Sequence, residues 1–157
     1  MDSIKKETNS KTEESVLTQI DTQKVIKFFV VDDDEYFNKL VISYLRKIAK
    51  ENGFHPEISG FTDGATCVSH MRENPDFVIL DFYLDENNDI ILTGYDVLEK
   101  IQHHNDKINT IVMSQKHEWE NFEDEFVKFG ASGFLKKDDN FYKNLKSMVL
   151  RGNIGIA

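Results

Sequence analysis

Five short apolar segments, each followed by a stretch of helical period, constrain this chain more than any other feature. They lie at Val25–Val31 (VIKFFVV), 57–60, 77–80 (FVIL), 110–113 (TIVM) and 134–136. Nearly continuous β-branched and aromatic runs are the mark of strands buried on both faces. The intervening stretches predict helices over about 35–51, 64–72, 94–103, 118–129 and 140–150. The first places Phe37, Leu40, Val41, Tyr44, Leu45 and Ile48 on one face, and Asn52-Gly53 stops it. In the second, Cys67, Val68 and Met71 point inward, and Asn74-Pro75 closes it. The third turns Val97, Leu98 and Ile101 inward. The fourth presents Trp119, Phe122, Phe126 and Phe129 on one side, and the last Phe141, Leu145 and Met148 before Gly152 ends it. Regular strand–helix alternation predicts an α/β fold, a doubly wound five-stranded parallel sheet with helices on both faces.

The domain expected from this pattern spans 24–151. Residues 1–23 are polar and mixed in charge, too poor in apolar side chains to offset ordering entropy, and read as a flexible N-terminal tail. Residues 152–157 read as a short C-terminal tail. The 157 residues carry 28 acidic and 19 basic side chains, a net charge of −9. That balance argues against a nucleic acid as the main partner. No apolar run approaches the ~18 residues of a spanning helix, so no membrane partner is expected. The single Cys67 excludes an internal disulfide framework and a CxxC site. The N-terminus lacks the apolar stretch of a signal peptide, and a cytoplasmic location is expected. The five histidines show no metal spacing.

In parallel sheets of this kind, ligands bind beyond the carboxyl ends of the strands. Asp32-Asp33-Asp34-Glu35 follows the first segment, Asp81 the third, Ser114 the fourth and Lys137 the fifth. Asp34 and Glu35 are read as capping the next helix and matching its positive end. Taken singly, Asp32 and Asp33 fit a cap as well as a metal site, Asp81 fits a turn, Lys137 a solvated lysine and Ser114 a cap. Their joint occurrence at the ends of different strands points to chemistry. Clustered carboxylates need a neutralising group, and a divalent cation such as Mg²⁺ serves. A carboxylate can be the nucleophile that takes up a phosphoryl group, with lysine and hydroxyl binding its oxygens.

The segments FFVVDDDEYF (28–37), PDFVILDFYL (75–84), GYDVL (94–98), IVMS (111–114) and GASGFLKKDD (130–139) resemble the receiver domain of bacterial response regulators. The resemblance implies the flavodoxin-like receiver fold. It implies Asp81 as phosphoacceptor, and Asp32, Asp33, Asp81 and the Tyr83 backbone carbonyl as Mg²⁺ ligands. Ser114 and Lys137 would contact the phosphoryl group. Ser114 and Phe134 would be the switch residues. It also implies a histidine kinase or histidine phosphotransfer protein as donor. A downstream protein would dock on the face made by the fourth helix, fifth strand and fifth helix. The catalysis implied is the chain's own phosphorylation and slow dephosphorylation. A stand-alone receiver is expected, with no appended domain after residue 151. The alternative is a receiver-like binding module that acts without phosphorylation.

Several positions depart from the family pattern. Asp85 and Asp138 stand where prolines are common, and the 85–93 connection is longer than usual. Tyr83, Gln115 and Lys116 are large residues on the approach to the acceptor, which predicts a long-lived phosphoryl form. Trp119 reads equally as core or as an anchor on the signalling face.

Overall fold

The computed structural model describes residues 23–84, 92–115 and 123–152. Strand β1 (Val25–Val31) leads into α1 (Glu35–Asn52). The side chain of Asp34 caps α1 by accepting the backbone N–H groups of Tyr36 and Phe37. Gly53 ends it with φ 72°, the left-handed conformation that glycine adopts without a Cβ penalty. Next come β2 (His55–Phe61), α2 (Gly64–Ser69) and a single 3₁₀ turn at Met71–Glu73. Then follow β3 (Phe77–Asp81), α3 (Gly94–His104), β4 (Asn109–Ser114), α4 (Glu123–Lys128), β5 (Gly133–Lys136) and α5 (Phe141–Gly152). Helix α3 opens with a reciprocal cap between Thr93 and Asp96.

The five strands form one sheet in the order β2-β1-β3-β4-β5, with every neighbouring pair parallel. Strand order therefore reverses between β1 and β3, which opens a crevice at their carboxyl ends. Alternation along β1 feeds two cores. Phe28 and Val30 join Val41, Leu45, Ile48, Leu145 and Val149 beneath α1 and α5. Phe29 and Val31 join Cys67, Val97, Leu98, Ile101 and Phe126 beneath α2, α3 and α4. Cys67 is core, and burial pushes its thiol up to about 12, so it has little nucleophilic character. Among the described residues, no helix is long and apolar enough to cross a membrane.

The expected elements all recur, with informative differences at their edges. Strand β2 begins at His55 and includes Pro56, because it is an edge strand where a missing N–H is tolerated. The second expected helix breaks at His70 into α2 and the 3₁₀ turn. Helix α5 runs two residues farther and includes Gly152, whose Cα lies so close to the Phe77 ring that a Cβ there would sit 2.9 Å from it. Val149 enters the core in place of Met148, which is only partly buried. Phe129, expected on the same side of the helix as Phe126, is 57% exposed while Phe126 is buried, because α4 ends at Lys128 and the chain turns away at Gly130. Residues 1–22, the 85–91 connection, 116–122 with Trp119 and Phe122, and 153–157 lie outside the described residues.

Leu45 is fully buried where α1 meets the sheet. Leu45→Ala should lower the free energy of unfolding by about 2–5 kcal/mol, read from urea denaturation curves with an unchanged slope.

Candidate functional site

Strands β1, β3 and β5 deliver their last residues to one place. Asp32 follows β1 and is fully buried, and Asp81 ends β3 and is 5% exposed. Lys137 follows β5, and its Nζ lies 2.7 Å from Asp32 Oδ2 and 3.3 Å from Asp81 Oδ1. The lysine side chain is itself only 5% exposed. The second oxygen of Asp32 accepts the Asp34 N–H at 2.9 Å, so one carboxylate steers both the ammonium and the turn into α1.

One oxygen from each of Asp32, Asp33 and Asp81 can be grouped within 4.8 Å of the others. Beside them is a cavity of about 220 Å³ lined by Asp32, Asp33, Asp34, Asp81, Tyr83, Gln115 and Lys137. Three carboxylates against one ammonium leave two negative charges, which a divalent cation would cancel. An all-oxygen donor set suits a hard ion such as Mg²⁺.

Ser114 ends β4, buried, and its carbonyl accepts the Lys137 N–H at 2.9 Å. The cavity wall at that end is Gln115. Phe134 lies on β5 away from the cavity, half-buried, its ring stacked on Phe126 at 5.7 Å. Phe126 also meets Phe82, the residue after Asp81, at 5.1 Å, and Tyr95 at 5.3 Å. Lys116 lies outside the described residues. Asp34 serves as the cap that its position predicts.

Two residues of α1 belong to the site although neither stands at a strand end. Asn38 is buried, and its amide donates to the carbonyls of Phe61 at 2.9 Å, Val30 at 3.3 Å and Asp32 at 3.4 Å. It thereby fixes the ends of β1 and β2. Gly60 leaves it room, since a Cβ there would come within 2.7 Å of the Asn38 Oδ1. The signal was present in the sequence: Asn38 is polar yet falls on the buried stripe of Val41, Leu45 and Ile48. Phe37 read only as an apolar core position, but its ring lies under Lys137 Nζ at 4.2 Å from the centroid.

Burial is the largest influence on the Asp81 carboxyl and pushes it up to about 7. Lys137 opposes the rise, while the charges of Asp32 and Asp33 add to it. Asp32 is also raised by burial, against the pull of Lys137. A carboxyl raised from an ordinary value of 3.8 holds its proton more tightly in the folded chain than in the unfolded one. Its contribution to stability is complete below that ordinary value and is lost as pH rises through about 7. Without divalent cation, the protein should therefore lose stability between about pH 4 and pH 7. Asp81→Asn should flatten that slope and stabilise the neutral-pH protein by on the order of 2 kcal/mol. Urea titrations of both proteins across the range measure the difference. Identical pH profiles would show that Asp81 is not the strained group.

Residues 28–148 match the family model of the response regulator receiver domain. No curated protein matches the chain. Among solved structures, the receiver domain of NtrX from Brucella abortus is similar, with 21% identity and a TM-score of 0.68 over 82% of this chain and 98% of that one. A receiver domain protein from Clostridium thermocellum gives 19% and 0.67, over 81% and 93%. The beryllofluoride-activated receiver domain of DrrB, a Thermotoga maritima protein, gives 21% and 0.66, over 82% and 97%. At these identities the likeness speaks for the fold.

Proposed function

Because this chain belongs to the response regulator receiver domain family, we propose that it accepts a phosphoryl group from a phosphohistidine donor onto Asp81 and so switches the binding of a downstream protein or relays the group. The observation that carries this reading is the convergence of Asp32, Asp33, Asp81 and Lys137 from the ends of three strands on one cavity. A purely structural cap or turn would not bring three carboxylates and a nearly buried ammonium together.

The residues divide the work by their chemistry. A carboxylate oxygen of Asp81 forms the new bond to phosphorus as the bond to the donor imidazole nitrogen breaks, and the imidazole takes up a proton. Asp81 must be ionised for this, so the two charges that Lys137 leaves uncancelled have to be met. Mg²⁺, held by Asp32, Asp33 and Asp81 with the Tyr83 carbonyl, would supply that charge and neutralise the transferring group. Lys137 and Ser114 serve the phosphoryl oxygens. Phe134 is the switch ring, and turning inward would require it to leave its stack on Phe126. The docking surface would be the face of α4, β5 and α5. The donor is a histidine kinase or a histidine phosphotransfer protein in a cytoplasmic pathway.

Incubation with acetyl phosphate and Mg²⁺ should add the mass of one phosphoryl group to the intact protein, and Asp81→Asn should abolish it, since an amide is a poor nucleophile. Normal labelling of Asp81→Asn would remove Asp81 from its role. No labelling of the wild type by any phospho-donor would favour a binding module that works without phosphorylation.

The lifetime of the phosphoryl form follows from the cavity walls. Tyr83 and Gln115 line it beside Asp81, and neither is an acid that could act as general base on water. With the phosphoryl group and Mg²⁺ filling the cavity, these side chains would crowd out the hydrolytic water. Tyr83→Asn combined with Gln115→Ala should speed loss of the phosphoryl group while Mg²⁺ affinity stays close to wild type. A dephosphorylation time course decides the point, and equal or slower decay in the opened variant would sink it.

A further inference from the structure

Phe37 stands in the first turn of α1, and its placement is fixed from two directions. Its backbone N–H donates to the Asp34 cap at 3.2 Å. Its ring packs edge-on against Phe141 of α5, with centroids 5.2 Å apart and planes at 77°. The same ring lies 4.2 Å from Lys137 Nζ. The ammonium thus has three close neighbours: a carboxylate oxygen at 2.7 Å, another at 3.3 Å and an aromatic face. The face of a benzene ring carries the negative lobe of its quadrupole and attracts a cation, most strongly where water is excluded. The Lys137 side chain is almost entirely out of solvent, so that condition holds.

We propose that Phe37 is a positioning residue for Lys137, holding the ammonium through its ring face while the lysine passes from the carboxylates to an incoming phosphoryl oxygen. The proposal rests on the function inferred above. A carboxylate pair alone binds the lysine most firmly in the unphosphorylated state, where transfer has yet to occur. The ring attracts the cation whichever anion it serves, and so confines the lysine to the site as its anionic partners change. A leucine of similar bulk would fill the space between α1 and α5 without this attraction. The ring's electron distribution, rather than its size, is therefore the property to vary.

Three proteins make the test: the wild type, Phe37→Leu, and the chain with a ring-trifluorinated phenylalanine in place of Phe37. Fluorination withdraws the negative face at nearly constant shape, so this protein keeps the fold even if the leucine variant does not. Two rates are measured in each. One is labelling of Asp81 by acetyl phosphate at saturating Mg²⁺. The other is reductive methylation of Lys137 in the unphosphorylated protein, followed by peptide mass. Both variants should label about three- to tenfold more slowly, and Lys137 should methylate faster in both. Wild-type rates of labelling and methylation in the fluorinated protein would overturn the proposal, whatever the leucine variant does, because the ring would then act by packing alone. If the wild type itself takes up no phosphoryl group, the function inferred for the site fails. The methylation rates would still show whether the ring face holds Lys137.

Discussion

A single ammonium group holds together the carboxyl edge of this sheet. Lys137 reaches from the end of β5 to Asp32 after β1 and to Asp81 at the end of β3. Each of these charges is nearly out of water, and none could be buried alone without a cost of several kcal/mol. Much else is arranged around that exchange of charge. The free oxygen of Asp32 takes the Asp34 N–H, Asp34 caps α1, and α1 places Phe37 and Asn38 back against the same edge. Removing the ammonium would leave two buried carboxylates facing each other. The raised pKa values of Asp32 and Asp81 are what remains of this compromise, since burial outweighs the help that one lysine gives.

The two faces of the sheet differ in how they could answer a change at that edge. The face beneath α1 and α5 packs Val, Leu and Ile with rings of its own, Phe28, Phe54, Phe77 and Phe141. It is clasped from outside by Glu51, which accepts from Lys146 at 2.7 Å and from the Tyr142 hydroxyl at 3.0 Å. On the opposite face the rings run from the end of β3 to β5. Phe82 follows Asp81 and touches Tyr83, Tyr95 and Phe126, and Phe126 stacks on Phe134. Aromatic contacts depend on angle as well as distance. A rearrangement at the end of β3 therefore has a ready mechanical link to β5 on this side.

The sequence was most readable where a residue's chemistry and its strand position coincide. Asp32, Asp81 and Lys137 are charged side chains directly after apolar runs, and a parallel sheet leaves them one place to go. The cap at Asp34 and the stop at Gly53 were legible for the same reason, being local to the chain. What sequence alone did not give were contacts made across the fold. Phe37 reads as one more apolar residue on α1, and only the approach of β5 turns its ring into a partner for Lys137. Phe129 fits the apolar period of the fourth helix yet is exposed, because helical spacing does not reveal where the helix stops. Strand β2 looked shorter than it is, since Pro56 argues against a strand until the segment is seen at the sheet's edge.

The bond between Lys137 and Asp32 joins residues 105 positions apart. The first half of the chain brings Asp32 and Asp33 to the edge, and the cation that offsets them, Lys137, comes only near the end of the second. Closing so long a loop carries an entropic cost that must be met before the contact returns anything, and parallel pairings of this kind are slow to form. During synthesis, Asp32, Asp33 and Asp81 emerge well before the lysine that offsets them. Until β5 joins the sheet the growing chain holds its carboxylates uncompensated and has reason to keep that edge open to water. Competence at the site is therefore a late event in folding, and a chain interrupted before β5 would lack both the last strand and the charge balance that lets the others close.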